Sequence, residues 1–243
     1  MEKEALLCHL VYKTQYGSRL YGTNGPKSDT DWKYLFLPTF KDVLLGNQVL
    51  KTKFVSPNME DKSLQVDEDF VPVQKFARDF LKGVPYALEV AFSANGSHAE
   101  QKFLNPNFEQ FVKELTEKFT NKKLSGFLGF VNKTESSVSK MLHGAEEVSA
   151  KDMYHGLRVS YQARELLATG KLTLPFKDGL RDRLLSVKNG DVHPSKVAGA
   201  FLDSVAVVNN ELQHTSLQEL TPELEAKFDN WLFGQLQKMY GLK

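Results

Sequence analysis

The sequence predicts an α/β (α+β) chain, strand-rich in its first hundred residues and helical beyond them. Three observations carry that reading. Short apolar runs alternate with turn-forming clusters at the start, the apolar spacing turns helical at Val73, and helical stripes recur after Pro106.

Taken in order, Leu6 to Tyr12 is one apolar run, a strand or a short helix leading into one. Lys13-Thr14-Gln15-Tyr16 then connects it to a Gly17-Ser18 turn. The segment Trp32-Lys33-Tyr34-Leu35-Phe36-Leu37, closed by Pro38, is apolar on both alternating sets and reads as a central strand covered on both faces. A third strand is expected from about Ser63 to Val71, carrying Asp67 and Asp69 at the strand period of two. Phe76, Phe80 and Leu81 then fall on a helix ended by Gly83 and Pro85, and a second apolar stretch runs from Ala87 to Phe92. Further on, Phe108, Phe111, Val112, Leu115 and Phe119 make one helical stripe, and Leu224, Phe228, Trp231, Leu232 and Tyr240 another. Thr221-Pro222 opens the last helix, with threonine as cap and proline in the first turn. The Asn-, Gly-, Ser- and Pro-containing stretch from Ser93 to Pro106 is the expected hinge, giving domains 1–100 and 101–243.

Composition narrows the function classes. A chain of 243 residues with 41% hydrophobic content buries a sizeable core as one large domain or two ordinary ones. A net charge of +1 gives no bulk attraction to nucleic acid, though a local basic patch fits within so balanced a total. Cys8 is the only cysteine, so disulfides within the chain and cysteine-based zinc sites are excluded. The first residues lack a signal-peptide pattern and no run approaches a membrane span, so the expectation is a cytoplasmic protein with no membrane partner. His9, His98, His143, His155, His193 and His214 show no zinc-hydrolase spacing, and there is no Gly-x-Ser-x-Gly elbow. Phe127, Phe130 and Tyr161 read as core rather than base-stacking platforms.

The informative segment is Gly17-Ser-Arg-Leu-Tyr-Gly-Thr-Asn-Gly-Pro-Lys-Ser-Asp29-Thr-Asp31. If Asp29 and Asp31 open a strand, the period of two places both carboxylates on one face, close enough to share divalent cations. The Gly-Ser turn offers backbone N–H groups to a phosphate. In isolation, Asp-Thr-Asp after Lys-Ser also fits a turn or a strand cap.

This pattern resembles the signature of the DNA polymerase β nucleotidyltransferase superfamily. The longer string Tyr16-Gly-Ser-Arg-Leu-Tyr-Gly22, with Ser28-Asp29-x-Asp31, is similar to the YcgL-type nucleotidyltransferases of bacteria and phages. Asp67, Gln74-Lys75-Phe76, Gly83-Val84-Pro85, Leu88 to Phe92, Phe127 to Phe130, His155-Gly-Leu-Arg158, Glu165 to Gly170 and Leu184 to Gly190 extend the likeness over most of residues 10–215. Val84 stands where that family has asparagine, and Thr30 is more polar than its usual counterpart.

The resemblance implies a polymerase-β-like nucleotidyltransferase core with a small mixed sheet, followed by a helical domain that closes over a nucleotide. It implies that Asp29, Asp31 and a third acid bind two Mg²⁺ (or Mn²⁺) ions with an NTP as co-substrate, and that Gly17 and Ser18 hold the β- and γ-phosphates. Asp67 is the preferred third acid and Asp69 the alternative. Arg19, Lys33, Lys75, His155 and Arg158 are candidates for triphosphate or base contacts, while Lys75 and Arg158 also fit ordinary surface or ion-pair roles. The expected reaction transfers a nucleoside monophosphate to an acceptor that is a small molecule, RNA or protein, in the cytoplasm of a bacterium or of a phage host. A silent nucleotide- or RNA-binding or regulatory module, and a toxin or defence factor modifying tRNA or protein, are the competing readings. Oligomeric state is not readable.

Overall fold

The computed structural model describes residues 3–45, 51–56, 61, 64–94 and 100–242. A short helix α1 (Lys3–Leu7) runs into β1 (Leu10–Tyr16), followed by the single turn α2 (Ser18–Tyr21), β2 (Thr30–Phe36) and α3 (Phe40–Leu44). Then come β3 (Thr52–Ser56), β4 (Val66–Pro72), α4 (Val73–Leu81), α5 (Pro85–Ala94) and β5 (Gln101–Phe103). The remainder is helical: α6 (Phe108–Phe119), α7 (Ser125–Leu142), α8 (Ala150–Thr169), α9 (Asp178–Lys188), α10 (Pro194–His214) and α11 (Pro222–Met239).

The strands form one mixed sheet in the order β3-β4-β2-β1-β5, with β2 and β4 parallel and the other pairs antiparallel. β2 is central, as its two-sided apolar pattern requires. Its two residue sets serve different layers: Tyr34 and Phe36 join Leu6 and Phe70 in a small cluster under α1, while Leu35 enters the main core with Val71. Lys13 to Tyr16 continues β1 rather than leaving it as a connector, because each residue pairs with β2. The edge strands β3 and β5 escaped the sequence reading because their side chains are half-buried or exposed and carry little apolar pattern. Ser63, the expected start of the third strand, lies outside the described residues, and β4 opens at Val66.

One continuous apolar cluster runs from Val11 on β1 through α4–α8 and α10 to Met239 on α11. The boundary expected at residue 100 falls at β5, whose Gln101–Phe103 pair with β1, so the sheet itself extends past it. Within the expected hinge, residues 95–99 lie outside the described residues. The chain's end also returns to the sheet: Tyr240 donates a hydrogen bond to the Pro38 carbonyl at 2.7 Å.

The long helix α8 positions the site, and its ends are set locally. The Ser149 side chain accepts from the Asp152 N–H at its start, and Gly170 closes it in the left-handed conformation. Gly156 faces α7 and α10 at close range: a Cβ there would lie 2.4 Å from Thr134 Cγ2 and 3.2 Å from the Phe201 ring. Thr134 cannot turn away freely, since its hydroxyl bonds the Phe130 carbonyl at 3.1 Å. Gly156→Ala is therefore expected to destabilise the protein by about 1–3 kcal/mol through overpacking, outweighing the roughly 1 kcal/mol of helix propensity that alanine adds. Denaturant unfolding checks this, and adding Thr134→Ser, which deletes the clashing methyl, should restore most of the loss.

Candidate active site

The sheet face that carries Leu35 and Val71 into the core turns polar toward the other end of the same strands. In the parallel β2–β4 register, Asp31 lies opposite Asp67 and Lys33 opposite Asp69. All four side chains share one face, by the period of two, and Glu68 points to the other, where Lys3 and Tyr34 bond it.

The acids differ in how their charge is answered. Asp69 is held by Lys33 and by Lys51 at 3.0 Å, and Asp67 by Lys53 at 2.6 Å and the Gln65 amide at 3.0 Å. Partial burial raises both carboxyls, but these donors hold them below the usual carboxylate range. Asp31 has no hydrogen bond or ion pair among the described residues, and neither has Asp29. Burial first, then the like charges of Asp29 and Asp67, push Asp31 above its ordinary value.

Gly17 brings the backbone against Asp31. It adopts φ 62°, and a Cβ built there would lie 2.1 Å from Asp31 Oδ2, so only glycine fits both the conformation and the space. The buried Ser18 hydroxyl beside it has no hydrogen-bond partner. These groups open on a cavity of about 600 Å³ whose wall also includes Lys27, Lys33, Tyr154, His155, Arg158 and Lys188. The far wall comes from α8 and from the end of α9, where Lys188 donates to the Thr23 carbonyl at 2.7 Å. Burial lowers the Lys188 ammonium, while Asp29 and Asp31 favour its charge.

A carboxylate at the back of this cavity ties its walls together. Glu89 of α5 is fully buried. It accepts hydrogen bonds from Tyr16, from Tyr21 at 2.9 Å and from the Arg158 guanidinium of α8. Tyr16 and Tyr21 bracket the Gly17-Ser18 turn, and Arg158 also stacks 4.2 Å from the centre of the Tyr21 ring. Burial and the Glu89 charge hold both phenols protonated, well above the ordinary tyrosine value. Arg158 stays charged, with its Nε unpartnered. His155 is pushed down to about 4 by burial and by the neighbouring Arg158 and Lys151 charges, so it is neutral at pH 7.

Of the residues singled out in the sequence, Gly17, Ser18, Asp29, Asp31, Lys33, His155 and Arg158 line this cavity. Asp67 adjoins it through its register with Asp31, and Asp69 stands one strand period farther on, opposite Lys33. Arg19 and Lys75 are not brought to the lining. Arg19 turns away with its Nε buried, and Lys75 forms an ion pair with Asp79 at 2.8 Å, which Tyr86 also bonds. The sequence reading missed Lys27, Lys151, Tyr154 and Lys188. Lys151 and Tyr154 precede His155 and Arg158 by one helical turn, a signal that was present. Lys188 arrives only through tertiary packing.

The donor set suits a hard divalent cation: carboxylates without cationic partners, a glycine that leaves room for Asp31, and an orphaned hydroxyl. No group of three or more His, Cys, Asp or Glu side chains converges as a closed ligand set among the described residues, and Lys53 and Gln65 engage Asp67.

The chain is similar to known proteins. A family model described as RlaP, RNA repair pathway DNA polymerase beta family, matches residues 2–230. An uncharacterised 38.9 kDa protein from the nrdC-mobD intergenic region of Enterobacteria phage T4 is 27% identical over 128 residues, covering 52% of this chain. The aligned segment spans only 38% of that phage protein. Among solved structures, a nucleotidyltransferase-like protein from Exiguobacterium sibiricum 255-15 superposes with a TM-score of 0.34 at 11% identity, over 87% of this chain and 70% of its own.

Two outcomes follow from the buried charges. Glu89→Ala leaves Arg158 buried without its counter-charge and should cost about 3–5 kcal/mol, whereas Glu89→Ala with Arg158→Leu should cost less than the sum of the single changes, as a double-mutant unfolding cycle reads. Because the folded His155 pKa of about 4 lies below the ordinary 6.5, the unfolded chain binds the extra proton between those values. Its contribution to stability is present above pH 6.5 and is lost as pH falls toward 4. The difference in unfolding free energy between the wild type and His155→Gln, measured across that window, should shift in this direction.

Proposed function

The chain belongs to the RNA repair pathway DNA polymerase beta family, and from that premise we propose that it transfers a nucleoside monophosphate from an NTP to a hydroxyl of an RNA acceptor, releasing pyrophosphate. The observation that carries the reading is the pair Asp29 and Asp31: acids without cationic partners among the described residues, set against the Gly17-Ser18 turn and facing a wall of cations. A purely structural acidic patch has no need of such an arrangement, because Lys33, Lys51 and Lys53 already answer the acids of β4.

In this reading Asp29, Asp31 and Asp67 hold two Mg²⁺ or Mn²⁺ ions, which neutralise the triphosphate and lower the pKa of the attacking hydroxyl. The Gly17-Ser18 turn holds the β- and γ-phosphates through backbone N–H groups and the Ser18 hydroxyl, leaving the α-phosphorus open to in-line attack. Lys188 and Lys151 supply positive charge from the opposite wall. Neutral His155 offers a hydrogen bond to the ribose or base without adding charge. Arg158 acts at one remove, because its Nη1 is committed to Glu89 and to Gln162 at 2.9 Å. RNA as acceptor is drawn from the family's description, and the lysine-rich mouth at Lys27, Lys151 and Lys188 supports it.

Incubation with each α-³²P-labelled NTP, Mg²⁺ or Mn²⁺ and single-stranded RNA should transfer label to the RNA. Asp29→Asn, Asp31→Asn and Asp67→Asn should each lower that rate about 100-fold or more. Asp69→Asn should retain most of the turnover and instead lose stability, since it removes the counter-charge of Lys33, which is only 7% exposed. Metal-dependent NTP binding without transfer to any acceptor would replace the enzyme reading with a silent nucleotide-binding module.

A further inference from the structure

A second cavity, of about 640 Å³, opens between α8, α9 and α10, and none of its lining residues lines the first. Its position follows from α8. Lys151, Tyr154, His155 and Arg158 face the first cavity; Tyr161, Arg164, Glu165 and Ala168 continue the same helical stripe into the second. From Tyr154 to Arg164 the helix advances about 15 Å, a span that a stacked strand covers in about four nucleotide steps. The two cavities also share a partition. Phe176 lines the second, while its ring stacks on Tyr21 of the first with centroids 6.0 Å apart and its N–H donates to the Tyr21 carbonyl at 3.3 Å.

The lining has the chemistry of a base and a phosphate. Phe176, Leu180 and Val207 form an apolar wall, and the half-buried Tyr161 ring faces the cavity rather than closing into the core as the sequence implied. Arg183 donates to the Tyr161 hydroxyl at 3.3 Å, and the Arg164 guanidinium stands 5.7 Å from the ring centre. Neither arginine is paired with a carboxylate among the described residues. Glu165, the acid on the same helix, is taken up by the Thr173 N–H at 3.0 Å and hydroxyl at 2.5 Å. Glu211 is the remaining acid of a lining that also carries Arg164, Arg183 and Lys177.

We infer that this second cavity seats an upstream nucleotide of the single-stranded RNA acceptor, its base against Tyr161 and the apolar wall and its phosphate between Arg164 and Arg183, while the strand's reacting hydroxyl lies in the first cavity. The inference rests on the RNA-acceptor reading above. It accounts for two cavities on one helix face and for arginines left without acidic partners.

The test uses the full chain and fluorescently tagged single-stranded RNAs of about 12 and 2 nucleotides, with anisotropy read over a salt series. The combined Arg164→Ala and Arg183→Ala variant should bind the longer RNA about 10-fold more weakly or worse, with the slope of log affinity against log salt reduced by about 0.7, the share of one single-strand phosphate. Tyr161→Ala should also weaken the longer RNA about 10-fold, and Tyr161→Phe, which keeps the ring, should not. Binding of the dinucleotide and of an NTP, read by calorimetry, should stay unchanged in all three, which also shows that they fold. Unaltered affinity and salt slope in the arginine variant would overturn the inference. If the wild type extends the longer RNA and the variants extend it equally well at limiting RNA, the second site fails alone. If the wild type labels a protein or small molecule and neither binds nor extends RNA, the acceptor reading fails with it.

Discussion

The structure depends on one buried carboxylate. Glu89 accepts from Tyr16 at the end of β1, from Tyr21 at the end of α2 and from Arg158 on α8, so one side chain joins the sheet, the Gly17-Ser18 turn and the helical half. Burying a lone carboxylate is prohibitive, and a buried ion pair recovers its desolvation cost only when the remaining hydrogen-bonding groups are satisfied. Here the two phenols and the guanidinium satisfy the carboxylate and Gln162 takes a further bond from Arg158, whose Nε is left without a partner, and the cost of separating these groups ties the walls of the cavity together. The turn that faces Asp31 is thus anchored on both sides, by residues that themselves touch no reacting atom. Its glycine could not be replaced without displacing Asp31.

The second constraint is how charge is divided over the sheet. The edge strand β3 and its flank bring Lys53 and Lys51 to Asp67 and Asp69, and the central strand supplies Lys33 to Asp69. Asp67 and Asp69 are therefore held ionised by partners, while Asp31 is left among like charges, its carboxyl raised. Neighbouring carboxylates driven in opposite directions are a mark of a site with a task. In the proposed reading, a cation beside Asp31 would relieve the repulsion from Asp29 and compete with Lys53 for Asp67. Lys53 lies half-exposed on an edge strand and can yield at little cost.

Much of this was legible in the sequence, for identifiable reasons. The apolar sets of β2 required a central strand, and the period of two paired Asp29 with Asp31, and Asp67 with Asp69, on one face of their own strands, although β2 opens only at Thr30. What periodicity cannot give is which residues stand side by side: the parallel register that sets Asp67 against Asp31 and Asp69 against Lys33 separates two acids that looked nearly equivalent. Lys75 looked like a site cation because spacing along the chain says nothing of its neighbour Asp79 one helical turn on, which takes the charge. Arg158 was singled out for ligand contact, and its tie to Glu89 lies 69 residues away in sequence. β3 and β5 were invisible because edge strands need little apolar pattern, and Tyr161 read as core because a half-buried aromatic ring obeys the same helical stripe as a buried one.

In the proposed reading, the division of labour between the two halves assigns specificity to the helical one. The sheet contributes carboxylates, which attract cations and repel phosphates; α8 and α9 contribute Lys151 and Lys188, which do the reverse. In the proposed reading the ligand between these walls carries phosphate, with a cation between it and the sheet, and any nucleoside triphosphate would meet that description equally. Discrimination among acceptors must come from surfaces beyond the phosphates. α8 provides them because its stripe does not stop at Arg158 but continues past Tyr161 to Ala168, along a helix whose position is fixed by Gly156 against α7 and α10 and by Glu89 against the sheet. In the proposed reading, the same element would therefore set the distance between the reacting phosphate and whatever the second cavity holds.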